Sequence, residues 1–466
     1  MKKLLKSKFP IQKSAEKASE LIAQKPTKVN LLRFTFPTIL SMIIMSTFGI
    51  VDGIFVSRLI GQFELAAVGL VWPFVGFVMA IGFMLGVGGN AMIAKKIGEG
   101  KTSEGRQNFS LIVIVAFIAS LMVGLLGFFA PDFILWVLGV NEFMRPITLE
   151  YMQPLIFFMP FAVLGMVFQQ FFITVGKAHY SAVMSLASGI LSAGLNYVFI
   201  YLLDLGLRGA AMATGIGMVI PFTVGLLYFI FVRSGSLYFV RPRFDIRALG
   251  RTVLNGASEM ISMLSASITA VLMNNVLMDI DHTGMAVASA AIMWAGMGIF
   301  SSLFTGYSSG VAPVISYNYG SGNKIYLKRA FRNSLRLIGF LAVIAIVLSL
   351  SSVDLLLWVY DVPSYVPLHG MVRNGYMFIV AAFLMMGFNG FGTMFFTALN
   401  NGLISSLLSL FNGFIFYMIT LYTMSSIFGI NGVWAAVPTA ELLQIFLTLF
   451  FLIKMRKRYG YGGNTQ

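Results

Sequence analysis

Asp132-Phe-Ile-Leu-Trp-Val137 returns further along the chain as Asp354-Leu-Leu-Leu-Trp-Val359. The match is the end of a longer one. The stretch from Asp52 to Val137 lies on Asn274 to Val359 without a gap, at a constant shift of 222 residues (position 52 onto position 274). At that shift Trp72 meets Trp294 and Trp136 meets Trp358. Gly88, Gly98 and Gly100 meet Gly310, Gly320 and Gly322, and Phe109 meets Phe331. Only five Trp occur in 466 residues, so four of them pairing at one offset marks common descent rather than chance. Later parts echo with small shifts, Phe171-Phe172 on Phe395-Phe396 and Gly206-Leu-Arg-Gly on Gly429-Ile-Asn-Gly. The chain is therefore an internal duplication with a unit of roughly 220 residues. The first position of the repeat is unequal: the carboxylate Asp52 faces the amide Asn274.

Working outward, the composition is 58% hydrophobic and 11% charged, with a mean hydropathy of +0.87. That is a membrane composition, not a soluble one. With no Cys there is no disulfide framework and no thiolate site, and three His make a histidine metal centre improbable. No cofactor is expected. The net charge of +15 sits in short patches beside apolar runs, which points to membrane orientation rather than to nucleic acid. The Lys-rich first 30 residues lack a short apolar core with a small-residue cleavage site and are expected to stay as a cytoplasmic tail. Within them Leu4, Leu5, Ile11, Ala15, Ala18, Leu21 and Ile22 could line an interfacial helix, with a solvated tail as the alternative.

The apolar runs predict an all-α membrane protein. Its twelve spanning helices fall near 31–56, 66–94, 109–130, 149–175, 180–204, 207–232, 247–278, 285–315, 333–352, 371–398, 402–426 and 430–454. Basic residues recur in alternate connections: Lys95, Lys96, Lys101 and Arg106; Lys177; Arg233, Arg241, Arg243, Arg247 and Arg251; Lys324, Lys328, Arg329 and Arg332. The intervening ones hold Asp132, Glu142, Asp204, Asp279, Asp281, Asp354 and Asp361. By the positive-inside rule both termini are cytoplasmic, in a cell membrane. Six helices per repeat give two lobes in the same orientation, related by an axis along the membrane normal. The expected divisions are a tail at 1–30, an N-lobe at 31–233, a cytoplasmic linker at 234–246, a C-lobe at 247–454 and a tail at 455–466.

Polar groups inside spans carry the functional signal, because an ionisable side chain in lipid is costly and faces a cavity or the bundle interior. Asp52 stands toward the outer end of the first helix, as a proton or cation site or else a hydrated helix-end acid. Glu259 lies two turns beyond the Arg251 cluster in the seventh helix; the plainer reading is that it snorkels to the cytoplasmic side. Glu441, with Gln444, is a third candidate. Ser192, Asn196, Asn274, Asn275, Gln169, Gln170, Asn389 and Asn412 are neutral polar groups that either bond between helices or meet a ligand. Gly86-Val-Gly-Gly lacks the Lys-Ser/Thr ending and the strand of a nucleotide loop, so ATP-driven transport is disfavoured. His179, His282 and His369 fall at loops or helix ends and offer no clustered hydrolytic constellation, which disfavours a membrane-embedded enzyme.

At these residues the chain resembles the multidrug and toxic compound extrusion (MATE) family, over roughly residues 30–455. The carriers are Ile50-Val-Asp-Gly-Ile-Phe-Val-Ser-Arg-Leu-Ile-Gly61, Gly98-Glu-Gly100, Leu195-Asn-Tyr-Val-Phe-Ile200, Gly209-Ala-Ala-Met-Ala-Thr214 and Ser316-Tyr-Asn-Tyr-Gly-Ser-Gly322. Asn255-Gly-Ala-Ser-Glu259 looks like a bacterial multidrug-exporter branch. The resemblance implies two lobes around a cleft that opens alternately to either side. It also implies export of bulky, often cationic compounds against protons or Na⁺. In many relatives an N-lobe cation site joins an acid on the first helix, an Asn and an Asp four apart on the fifth, and a Thr on the sixth. Asp52 and Thr214 match it, and a prolyl bend matches Pro37. The Asn–Asp pair falls on Ser192 and Asn196, so the second carboxylate is missing.

These readings combine into an ion-coupled, monomeric exporter of hydrophobic, often cationic small molecules. Asp52, Ser192, Asn196 and Thr214 form the coupling site, with a proton as the coupling ion and Na⁺ as the alternative. Glu259 faces the cleft as cargo counter-charge beside Met263 and Asn274. A lipid-linked precursor flippase is the alternative cargo reading, but it calls for a strongly cationic cavity. Topology is testable because the chain has no native Cys. In intact cells Gly322→Cys should be shielded from impermeant thiol reagents and Asp281→Cys should react; the opposite pattern would reverse the orientation.

Overall fold

The computed structural model describes residues 25–140, 142–233, 235–283, 285–360, 362–364 and 367–462. The interfacial helix expected within the first 24 residues lies outside them, as does Asp361. Among the described residues twelve helices are long and apolar enough to cross a membrane. They are α1 (Lys28–Leu59), α2 (Gln62–Gly98), α3 (Thr102–Phe129), α4 (Arg145–Thr174), α5 (Ala178–Leu202) and α6 (Gly206–Phe231). Then follow α7 (Ile246–Ile280), α8 (Met285–Gly320), α9 (Lys324–Val359), α10 (Pro367–Ala398), α11 (Gly402–Phe428) and α12 (Ile430–Tyr459). Each expected span is present. Most run further than their apolar stretch, α9 most of all, because a helix satisfies its own backbone into the polar headgroup layer where hydropathy no longer reports it.

One element of the repeat folds differently in its two copies. Asp132–Val137 belongs to a separate short helix, Pro131–Val137, whereas its twin completes α9. Pro131 cannot donate to the preceding turn, and it holds Ala130 out of the helical region at φ −129°, ψ 54°. Its counterpart Val353 permits the helix to run through. In both copies the Trp, Trp136 or Trp358, stays exposed, and such aromatic residues are enriched at membrane interfaces.

The packing of the second six helices repeats that of the first. In the N-lobe α1 lies on α5, α2 on α3 and α4, and α4 on α6. In the C-lobe α7 lies on α11, α8 on α9 and α10, and α10 on α12. Across the seam α1 meets α8, α7 meets α2, and α2 meets α8, which is the pattern of a twofold axis between lobes. Each lobe has its own aromatic centre. Phe109 lies 4.9 Å from Phe171, 4.8 Å from Phe229 and 5.0 Å from Phe239 of the linker. Its repeat partner Phe331 lies 4.8 Å from Phe395 and 4.9 Å from Tyr461, just past α12. The linker and the tail thus dock in matching places. Arg106 fastens the linker by donating to Ser236 O (3.0 Å), Gly235 O (3.2 Å) and Tyr238 Oη (2.8 Å). Asp245 then caps α7, accepting from the main-chain N–H of Arg247 and Ala248 at 3.0 Å each. Those bonds, Ala248's first, hold its carboxyl below the ordinary aspartate range.

The lobes touch at one end and part at the other. Gly88 of α2 lies against the main chain of Thr252 and Gly256 in α7, and Gly256 against that of Met84. Gly98 meets the Tyr317 carbonyl, and its twin Gly320 meets the Lys95 carbonyl, a reciprocal pair about the axis. A Cβ at any of these four would collide with backbone, so only glycine allows the approach. Asn400 adds a bridge, donating to Ala91 O at 3.3 Å while accepting from Asn255 Nδ2 at 2.8 Å. Toward the other end Trp72 and Trp294 line a shared cavity of about 1150 Å³. Gly256→Ala should therefore lower the thermal midpoint of the purified protein by the equivalent of about 1–3 kcal/mol of overpacking. Gly390→Ala, where an added Cβ meets nothing within 4 Å, should leave it unchanged. Equal midpoints for both variants would show that the seam is not in close contact.

Candidate ion-coupling and cargo site

The N-lobe site is assembled from three helices. Asp52 comes from α1; Ser192 and Asn196, one turn apart on one face, come from α5; Thr214 comes from α6. Ser192 Oγ and Asn196 Nδ2 donate to Asp52 Oδ1 at 3.3 and 2.8 Å, and Thr214 Oγ1 donates to Oδ2 at 3.3 Å. All four residues expected to act together therefore meet. Among the described residues no cation lies within 4 Å of this carboxylate, so three neutral donors hold it. Asn196 Oδ1 is buried beside it with no hydrogen-bond partner among the described residues, an acceptor left for a proton donor or a cation. Directly after Asn196, α5 widens into a π-helical turn, Tyr197–Leu202. Such turns recur at functional sites because they break the regular bonding ladder.

Asp52 faces two spaces at once. It lines the outer 1150 Å³ cavity with Tyr151, Trp72 and Trp294. It also lines a deeper cleft of about 760 Å³ with Met45, Phe48, Met79, Phe83, Met166, Met218, Met263 and Asn274. Methionine and aromatic walls adapt to varied apolar shapes. Below Asp52 a polar ladder joins the helices: Ser41 Oγ and Ser185 Oγ lie 2.7 Å apart, and Gln169 Oε1 accepts from Ser181 (3.2 Å) and Ser185 (3.4 Å). Gln169 thus bonds between helices, and it also lines the cleft.

Glu259 is not where the sequence reading put it. It is half-buried and lines an adjoining C-lobe cavity of about 320 Å³, which shares Ala266 with the cleft lined by Met263 and Asn274. The reason is helical phase. Glu259, Ser262 and Thr269 form one stripe of α7 and Met263, Ser267, Ala270 and Asn274 another, their centres roughly 95° apart at 100° per residue, with Glu259 at the near edge about 40° from Met263. The second carboxylate in that cavity is Glu441 of α12, which the sequence marked only as a third candidate. Asn389 Nδ2 donates to Glu441 Oε2 at 2.6 Å and to its main-chain O at 2.9 Å. Thr448 Oγ1 in turn donates to Asn389 Oδ1 at 3.2 Å. Asn412, also lining the cavity, sits in the second π-helical turn, Phe411–Phe416. Each lobe therefore sets a π-turn beside an acid. The sequence signal for Glu441 was the same as for Glu259, an acid in an apolar run; its pairing with Asn389 depends on residues 52 positions apart. Asn275 is exposed, and among the described residues no group of three His, Asp or Glu is placed to hold a metal.

The MatE family model matches residues 37–198. The multidrug export protein MepA of Staphylococcus saprophyticus is 22% identical over 431 residues, covering 92% of this chain and 94% of that protein. MepA of Staphylococcus aureus strain NCTC 8325 is 23% identical over 442 residues, covering 93% and 95%. Among solved structures, an outward-facing multidrug resistance MATE family transporter superposes with a TM-score of 0.88 at 20% identity, covering 95% of this chain and 98% of that one. At that identity the likeness establishes the fold. By the match within its N-lobe, by relatives aligned along nearly its whole length and by the two-lobed fold, the chain is similar to MATE family transporters.

Proposed function

We propose that the chain is a proton-coupled exporter of hydrophobic, often cationic small molecules, working as a monomer in the cell membrane. Both termini and the closed seam would face the cytoplasm, and the cleft would open outward. The observation that carries this reading is the position of Asp52. One carboxylate, held by three neutral donors, borders both the deep cleft and the outer cavity. A proton on Asp52 removes the charge that attracts a cation, and cargo beside it disfavours that proton; this mutual exclusion is the coupling. One proton exchanged for one monovalent cation moves no net charge. The membrane potential, worth ~2.3 kcal/mol per charge per 100 mV, then neither drives nor opposes the step, and the pH gradient supplies the energy.

A proton is favoured over Na⁺ because Asn196 stands where a second acid would complete a more charged cage, and hard cations bind best to several oxygens including carboxylates. The relatives named as multidrug exporters support the cargo class. A flippase for phosphate-bearing lipid precursors fits less well, since among the described residues lining the cleft and outer cavity Arg58 is the one basic side chain. Glu259 and Glu441 would serve as a second proton-exchanging pair in the C-lobe, reached by a cavity that shares Trp294 with the outer one.

In proteoliposomes, efflux of matched cationic and neutral dyes should follow an imposed pH gradient and not a Na⁺ gradient at equal pH. Asp52→Asn should abolish gradient-driven efflux of both dyes. Glu259→Gln should slow the two alike, because it acts on coupling and not as cargo counter-charge. Wild-type rates for Asp52→Asn would reduce Asp52 to a hydrated helix-end acid, and Na⁺-driven efflux would overturn proton coupling.

A further inference from the structure

A cavity of about 560 Å³ lies where the chain enters α1 and runs beside the first turns of α9, at the closed end of the seam. Lys25 and Lys28 line it from the N-terminal side; Lys328, Arg329, Arg332 and Arg336 line it from α9. The two groups are some three hundred positions apart in sequence, yet they surround one space. Asn333 Nδ2 joins them, donating to Pro26 O at 2.7 Å. Among the described residues Lys25, Lys28, Arg329, Arg332 and Arg336 form no ion pair within 4 Å. Neither α1 nor α9 has an acid in its first turn, and α1 is capped by the neutral Thr27. Two helix N-termini and these five like charges thus converge with no acidic partner among the described residues, which is unfavourable unless an anion joins them.

Orientation signals alone do not account for the cluster, and the duplication supplies the control. Shifted by 222 residues, Arg329, Arg332 and Arg336 of α9 fall on Gln107, Ser110 and Ile114 of α3, which faces the same side of the membrane. A purely topogenic pressure would act on both copies. In the N-lobe copy Ser110 accepts instead from the linker's Val240 N at 3.0 Å, and α7 is capped by the acid Asp245. The level also fits. α9 has 36 residues, about 54 Å at 1.5 Å per residue against a ~30 Å hydrocarbon core, so its basic turns stand in the headgroup layer.

We propose that this cavity binds the phosphate headgroup of an anionic phospholipid and that the lipid ties the start of α1 to α9 across the lobe seam. Forked guanidiniums on successive turns suit a phosphodiester, and the lysines close it from the other lobe. The ligand would favour the state in which the seam is shut, to the extent that opening separates the two groups of cations. The proposal rests on the membrane reading and not on the identity of the cargo.

The test is a titration of the purified full chain in detergent with short-chain phosphatidylglycerol, with phosphatidylcholine of equal chain length, and with inorganic phosphate. Binding is read by thermophoresis, which needs no transport. Phosphatidylglycerol should bind, phosphatidylcholine should not, and inorganic phosphate should bind far more weakly. Arg329→Gln with Arg332→Gln should cost about thirtyfold in affinity, at roughly 1 kcal/mol per basic contact. Lys25→Gln with Lys28→Gln, on the opposite wall, should cost a similar factor. The charge-matched control, Arg456→Gln with Arg458→Gln on α12, should cost no more than about threefold, since only diffuse attraction changes. Equal losses in the control and groove variants would reduce the effect to diffuse surface charge and overturn the proposal. Inorganic phosphate binding as tightly as the lipid would overturn the lipid assignment.

Discussion

The two lobes are held together where backbone meets backbone with no side chain between them. Gly88 and Gly256 at one crossing, and Gly98 and Gly320 at the next, bring main chains so close that a single methyl would not fit. Within a bilayer there is little hydrophobic drive between helices, so association depends on such close packing and on polar bridges like Asn400 to Ala91. The cleft is the geometric consequence. Two six-helix bodies that touch at one end diverge at the other, and Trp72 and Trp294, equivalent by repeat, face each other across the space.

The acids sit in the walls of that architecture and not at the seam. Asp52 borders the cleft from the N-lobe, while Glu259 and Glu441 share a cavity inside the C-lobe. Both arrangements use amide and hydroxyl donors instead of counter-ions: Ser192, Asn196 and Thr214 on one side, Asn389 on the other. Neutral donors satisfy a carboxylate without locking it into an ion pair, which leaves its charge available to be exchanged. The unpartnered Asn196 Oδ1 and the two π-helical turns mark the same places from the backbone side.

Duplication turns the chain into its own comparison. Where both copies keep a feature, such as Phe109 and Phe331 with the linker or tail ring docked on each, the shared physics is packing. Where they diverge, a local cause is visible. Pro131 breaks a helix that Val353 continues. Asn274 faces the cleft where its repeat partner Asp52 takes three hydrogen bonds. The outer face of α9 gathers arginines where α3 binds the linker. The lobes share a fold and have separated in chemistry.

The sequence by itself determined the twelve helices, the duplication, the two lobes and the quartet around Asp52. Each of these is written in local or periodic terms: apolar runs set by bilayer thickness, a constant shift of 222, and residues matched to a family pattern. Only the tertiary structure decided which space each acid faces. The placement of Glu259 turns on about 40° of helical phase between it and Met263, and hydropathy does not resolve that in a helix whose polar residues fall on more than one face. Glu441 gained weight through Asn389, and the basic cavity arose from Lys25 and Arg332; both depend on contacts between segments distant in sequence. Such contacts follow from how helices pack across and within the lobes, and no window along the chain records them.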